Sequence, residues 1–229
     1  MESISNEWLR RVEAEYRSAA MAHHYTLWLI QVGASPDLIR DGLRIVEDEI
    51  THAELSHKVF VDAGGTETPN LDRDTLGLER MSDELFEDLL RVAVSFFCLG
   101  ETAAVPLFHR MRKGCTVASA KTALDRILVD EVRHRDFGWT LLAWLLEASP
   151  ELKPTLEANL DTMLSDIRES YSCAPDDSAI SEEERKWGLI SRAEYAYVLD
   201  RCIGRDYQPR FAQCGIEISD DFKVVPSAP

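Results

Sequence analysis

Two short stretches of the chain carry the same set of metal-ligating side chains. Arg44-Ile-Val-Glu-Asp-Glu-Ile-Thr-His52 and Arg126-Ile-Leu-Val-Asp-Glu-Val-Arg-His134 share Arg, Ile, Asp, Glu and His in register, and Glu131 stands 82 residues after Glu49. On a helix, Glu49 with His52 and Glu131 with His134 each project from one face, about one turn apart. A carboxylate and an imidazole placed in this way can share a metal ion. One Glu-x-x-His arises often in acidic helices, but two copies in comparable apolar surroundings are hard to obtain by chance. The alternative is two His–Glu pairs that satisfy each other and only hold helices together.

Four helices must position these groups. The first runs from about Ile4 to Val32 by apolar spacing and stops at Gly33-Ala-Ser-Pro36, where Ser35 can cap and Pro36 can open the next. The face with Val12, Glu15, Tyr16, Ala19, Ala22, His23, Thr26 and Ile30 is polar and small for one turned to a core, so this helix is expected to line a site. The second, from about Pro36 to Ala63, should place Ile45, Val46, Glu49, His52, Ala53 and Phe60 inward and break at Gly64-Gly65. Residues 64–82, rich in turn formers, read as a long connection, which suits a crossover between two antiparallel hairpins.

The third helix starts near Ser82 and continues to about Arg112, with Glu101 as a lone carboxylate on its apolar stripe. Burying such a group is costly unless it is protonated, paired or bound to metal, so Glu101 is a ligand candidate. Pro106 predicts a kink or bulge close by. The 30 residues from Glu101 to Glu131 fit a helix, a turn at Gly114-Cys115-Thr116 and a fourth helix, about Ala118 to Glu147, returning to the same height. Beyond Pro150, a helix over Glu151–Tyr171 and another opened by the capping box Ser181-Glu-Glu-Glu184 are expected to pack outside the bundle. The latter should reach about Ile203, break at Gly204 and resume over Tyr207 to Cys214. The tail from Gly215 to Pro229 reads as extended and partly mobile.

A chain of 229 residues is long enough for one large helical domain, here a bundle over 4–147, accessory helices over 151–214 and the tail over 215–229. The formal net charge of −16 repels phosphate backbones and anionic membrane surfaces, which argues against nucleic-acid and lipid partners. Cys98, Cys115, Cys173, Cys202 and Cys214 are scattered and never form Cys-x-x-Cys, as expected of cytosolic thiols. The N-terminus lacks a basic stretch followed by an apolar core, and no apolar run approaches the roughly 20 residues of a membrane span. A cytoplasmic protein is expected.

Paired hairpins, a crossover and two Glu-x-x-His motifs are the recipe for a two-metal carboxylate site in a bundle. Over residues 4–147 the chain resembles the ferritin-like di-iron superfamily. Its Asp-Glu-x-x-His motifs are similar to those of the ribonucleotide reductase small subunit and of the hydroxylase subunits of bacterial di-iron monooxygenases. Asp130-Glu-Val-Arg-His-Arg-Asp-Phe-Gly138 is similar to a segment of the aldehyde-deformylating oxygenases. The resemblance implies an all-α, ferritin-like four-helix bundle with one long crossover connection and two additional C-terminal helices. It implies two iron ions, or iron and manganese, on Glu49, His52, Glu101, Glu131 and His134. Asp48 and Asp130 would each accept a hydrogen bond from the His of the opposite motif helix, fixing its tautomer.

The chain departs from this pattern on its first helix, where the superfamily supplies a further Glu. The 82-residue offset maps Glu101 onto Ala19. Glu15 lies one turn before it and His23 one turn after. Glu15 is the preferred ligand, because oxygen suits a hard metal in high oxidation states. His23 is the alternative, and an open corner at Ala19 and Ala22 with room for substrate is a third reading. Tyr16 is a candidate catalytic residue, redox-active or hydrogen-bonding, or else a plain core aromatic.

The resemblance implies an oxidoreductase, an oxygenase or oxidase that activates dioxygen and oxidises a small organic substrate. Its expected partners are that substrate, dioxygen and an electron donor, with room for a homodimer. Two alternatives compete: a ferroxidase or peroxide-scavenging protein, and a metal-poor bundle with a structural or interaction role. The paired Asp residues, the small residues of the first helix and the two extra helices favour the oxygenase. The missing carboxylate at position 19 favours the metal-poor bundle.

Overall fold

Ser35 accepts a hydrogen bond from the Leu38 N–H at 3.3 Å, and Pro36, with no N–H to lose, takes the first position of the helix that follows. The computed structural model describes residues 1–172 and 179–222, and among these it is helical, without a strand. The helices are α1 (Glu2–Gln31), α2 (Pro36–Asp62), α3 (Leu85–Val92), α4 (Glu101–Gly114), α5 (Ala118–Ala148), α6 (Leu152–Ser172), α7 (Glu182–Lys186), α8 (Arg192–Cys202) and α9 (Gln208–Gln213). Two π-helical segments, Ala93–Gly100 and Ile203–Tyr207, join α3 to α4 and α8 to α9. The chain forms two compact units. The first comprises Met1–Leu85, Met111–Asp130 and Ile180–Leu189; the second comprises Phe86–Arg110, Glu131–Ala179 and Ile190–Pro229, so far as their residues are described.

In the first unit α1 and α2 pack along their length as an antiparallel hairpin. The buried stripe of α1 is Val12, Glu15, Ala19, Ala22, Thr26 and Leu29, advancing by alternate steps of three and four residues. Tyr16, His23 and Ile30, expected on this face, lie off it: Tyr16 is 37% exposed, Ile30 is 53% exposed and His23 is exposed. Each stands one position past a stripe residue or its turn-equivalent, and one position is a rotation of about 100°. Thr26 donates its hydroxyl to the Ala22 carbonyl at 2.7 Å. Opposite it, a Cβ on Gly42 would fall 2.5 Å from Thr26 Oγ1, so the glycine sets how closely the two helices approach. The connection after α2 is tied to α1 at two points, where the Asn70 N–H donates to Glu13 and the Leu78 N–H donates to His24 Nδ1.

Trp8 donates its indole N–H to the Trp187 carbonyl at 3.1 Å, tying the 180–189 segment into the first unit. Ser181 and Glu184 form the expected capping box. The helix it opens is short, however, and does not reach Ile203. Gly188 adopts φ +83°, a left-handed conformation that stops the helix, and the Leu189 N–H folds back to the Glu184 carbonyl. A second capping box, Ser191 with Glu194, then opens α8. Gly204, the expected break, sits inside a π-helical segment instead.

In the second unit the disturbance expected around Pro106 lies upstream, in the π-helical turns of Ala93–Gly100 that end at Glu101. Pro106 has no N–H to offer the carbonyl of Thr102 one turn earlier. That carbonyl accepts from the Cys202 thiol at 3.8 Å, and the Leu99 carbonyl accepts from the Tyr207 hydroxyl at 2.7 Å. The Cys98 thiol donates to the Gly138 carbonyl at 3.2 Å. Burial pushes the Cys98 and Cys202 thiols up, so both remain protonated donors. A Cβ at Gly138 would come within 2.6 Å of the Phe97 backbone, so glycine alone lets α5 lie this close to the π-helical turns.

The described part of the tail is packed. Ile216, Ile218 and Phe222 are buried, and the Arg168 guanidinium sits 5.1 Å above the Phe222 ring. Cys173, most of the 172–180 linker and residues 223–229 lie outside the described residues. The expectation that no apolar run approaches a membrane span is corrected. The stretch Leu85–Gly114 is long and apolar enough to cross a membrane, with mean hydropathy 1.5 over an 18-residue window. In that window 56% is buried within the protein, as in the core helix of a soluble protein.

Candidate metal centre

The first unit gathers Glu15 from α1 with Glu49 and His52 from α2. Glu15 lies on the buried stripe of its helix, and Glu49 and His52 follow one another by a turn on theirs. All three are buried, His52 completely. One carboxylate oxygen from each Glu and a ring nitrogen of His52 lie within 4.8 Å of one another. His52 Nδ1 is 3.5 Å from Glu49 Oε2, while the opposite nitrogen, Nε2, is 3.2 Å from Asp130 Oδ2.

That division of the ring fixes its chemistry. With Nε2–H donated to Asp130, Nδ1 carries the lone pair and faces the two carboxylates as a ligand atom. Asp130 is in turn held by the Arg126 guanidinium, which also reaches Asp48 at 3.5 Å. One cation thus serves both motif aspartates, of which Asp48 is 5% and Asp130 1% exposed. The spacing of Arg126 four residues before Asp130 is visible in the sequence, but its second partner, Asp48, is not.

The second unit gathers Glu101, the first residue of α4, with Glu131 and His134 of α5. These three are equally buried. His134 Nδ1 is 3.8 Å from Glu101 Oε2 and 3.8 Å from Glu131 Oε2. Two triads of the same composition therefore exist, each with two carboxylates and one imidazole. They are not built in identical register: Glu15 stands 34 residues before Glu49, and Glu101 stands 30 before Glu131, a difference of about one helical turn.

A separation of 3.8 Å is too long for a hydrogen bond between these atoms. It falls within the roughly 3 to 4 Å expected between two atoms that ligate one ion through bonds near 2.1 Å. The donor set points the same way. Two buried carboxylates beside an imidazole call for a cation among them. The residues present therefore fit a metal ion.

The remaining candidates lie elsewhere. Ala19 is buried on the α1 stripe. His23 is exposed and outside the triad, so α1 offers Glu15 to this cluster. Tyr16 lines a surface pocket of about 310 Å³ with Val12, Ala53, Glu54, His57 and Pro69. Comparison of the chain with protein-family models, with curated proteins and with solved structures finds no match.

Proposed function

We propose that the protein is a ferritin-like di-iron oxidoreductase that uses dioxygen to oxidise a small organic substrate. The observation that carries this reading is the occurrence of two buried Glu, Glu, His triads on a repeated Asp-Glu-x-x-His motif, one with its imidazole oriented by an aspartate. In this reading the chain is a four-helix bundle with a long crossover, and the C-terminal helices are additions to it. Glu15, Glu49 and His52 hold one ion, and Glu101, Glu131 and His134 hold the other. Iron, or iron with manganese, supplies the redox chemistry when bound.

The protein's own residues do the rest. Asp130 keeps the proton on His52 Nε2, so that Nδ1 remains a ligand, and Arg126 offsets part of the charge of the aspartate pair. The net charge of −16 repels phosphate backbones and anionic lipid surfaces, in keeping with a small-molecule substrate and an electron donor as partners.

The test is metal analysis and near-ultraviolet absorption of protein purified after expression with iron, followed by oxygen uptake on addition of a reductant. About two ions per chain, with oxygen consumed, are expected. Protein that binds neither iron nor manganese at stoichiometric levels would overturn the reading, and uptake of oxygen coupled only to oxidation of free ferrous iron would replace it with a ferroxidase.

A further inference from the structure

The α1–α2 hairpin carries a second ordered stripe, on the outer flank away from Glu15, Glu49 and His52. On α1 it consists of Tyr16, Ala20, His23, Leu27 and Ile30. On α2 it consists of Ile39, Leu43, Val46 and Ile50. Both sets advance by alternate steps of four and three residues, the spacing of a seam that packs against another helix. Nothing in the hairpin covers it fully: Leu27 is 48%, Ile30 53%, Leu43 48% and Ile50 42% exposed. The two sets lie on the same side of the hairpin, since Tyr16 shares a surface pocket with Glu54 and His57 of α2.

Single exposed apolar residues need no explanation. Four large ones, aligned on adjacent antiparallel helices, form a patch of the kind that marks an interaction surface. The charges beside it select the partner. Along the exposed flank of α2 the charges run Asp37, Arg40, Arg44, Glu47, Glu54 and Lys58. A helix laid parallel with the same order would set like charge on like. A second copy of α2 laid antiparallel, about a two-fold axis near Val46, sets Leu43 against Ile50, Arg40 against Glu54 and Asp37 near Lys58 of the second copy, with Glu47 close to the axis about one turn from Arg44 of the other copy. Such self-complementarity is what a two-fold interface requires. Arg40 now pairs with Asp37 at 3.0 Å, but both side chains are largely exposed, and a pair of that kind exchanges partners at little cost.

We propose that the protein is a two-fold dimer through this face, with the α2 helices of the two copies antiparallel and the apolar stripes of both hairpins forming the seam. The test is sedimentation equilibrium of the full-length chain, as purified, over a range of micromolar concentrations. A dimer is expected. Leu43→Glu combined with Ile50→Glu should weaken it at least ~30-fold, as central apolar interface residues do. Helix content and metal content should stay at wild-type values, because neither residue lies in a triad. Arg40→Glu and Glu54→Arg should each weaken the dimer, and the two combined should restore it. A wild-type chain that is monomeric throughout, whatever else it binds, overturns the proposal. So does a dimer that the paired Glu substitutions leave intact, or charge reversals whose combination fails to rescue.

Discussion

His52 turns Nε2 to Asp130 at 3.2 Å and Nδ1 to Glu49 at 3.5 Å. The imidazole is therefore held by an aspartate from α5 with its ligating edge presented to carboxylates of α1 and α2. Removing the aspartate frees the ring to change tautomer and to rotate. Asp130→Ala is expected to weaken iron binding by about 10- to 100-fold with helix content intact, measured by competition with a chelator alongside circular dichroism. Unchanged affinity would reduce Asp130 to an ion-pair partner of Arg126.

Glu15 and His23 separate cleanly, because one is buried beside Glu49 and His52 and the other is exposed. Glu15→Gln should lower iron stoichiometry from about two ions per chain toward one. His23→Gln should leave it unchanged. Iron loss on changing His23 and none on changing Glu15 would reverse the assignment.

Gly138 and Gly204 make opposite forecasts. A methyl at Gly138 meets the Phe97 backbone at 2.6 Å, which cannot step aside as a flexible side chain would. Gly138→Ala should destabilise by about 1–3 kcal/mol or more. At Gly204 nothing lies within 4 Å and the backbone is helical, so Gly204→Ala should be neutral or stabilising, by up to about 1 kcal/mol. Urea denaturation of the two variants decides between them, and equal effects would show that the close approach at Phe97 does not constrain the fold.

The buried thiols predict a dependence on alkaline pH. Burial raises the Cys98 and Cys202 thiols above their ordinary range, so in the folded protein they stay protonated where unfolded cysteines ionise. The folded state then holds more protons than the unfolded state, and this contribution to stability is present below about pH 8.5 and declines as pH rises above it. Unfolding midpoints measured from pH 7 to 10 should fall over the upper part of that range, and less steeply in Cys202→Ser once its lower starting stability is subtracted. Identical slopes would show that the Cys202 thiol is not the group concerned.

Much of the helical framework was legible, because its signals are local. Ser35 and Pro36 announce the start of α2, Gly33 and Gly64 end α1 and α2 with positive φ, and the Asp-Glu-x-x-His copies name the residues of the motif helices directly. What stayed hidden depends on rotation or on distant partners. Tyr16, His23 and Ile30 are separated from the buried stripe by a third of a turn, which a choice of residues by chemistry does not resolve. The π-helical turns of Ala93–Gly100 are apolar around most of their circumference, so their pitch leaves no periodic signature. The end of α7 at Gly188 rests on its left-handed backbone, and a glycine in an acidic, helix-forming stretch reads as tolerated until that torsion is known. Arg126 could be paired with Asp130 by spacing, whereas its reach to Asp48 required the fold.

The carbonyls of Leu99 and Thr102 sit on either side of Glu101 and are satisfied by Tyr207 and Cys202. The carbonyl that Pro106 leaves open thus depends on a side chain a hundred residues later. A chain ending after α6 would leave both carbonyls stripped of those donors, at about 1–3 kcal/mol for each that stayed buried, within two residues of Glu101. The C-terminal helices are in this sense the second half of a joint whose first half is Pro106, and any shortened version of the protein inherits a wound beside Glu101.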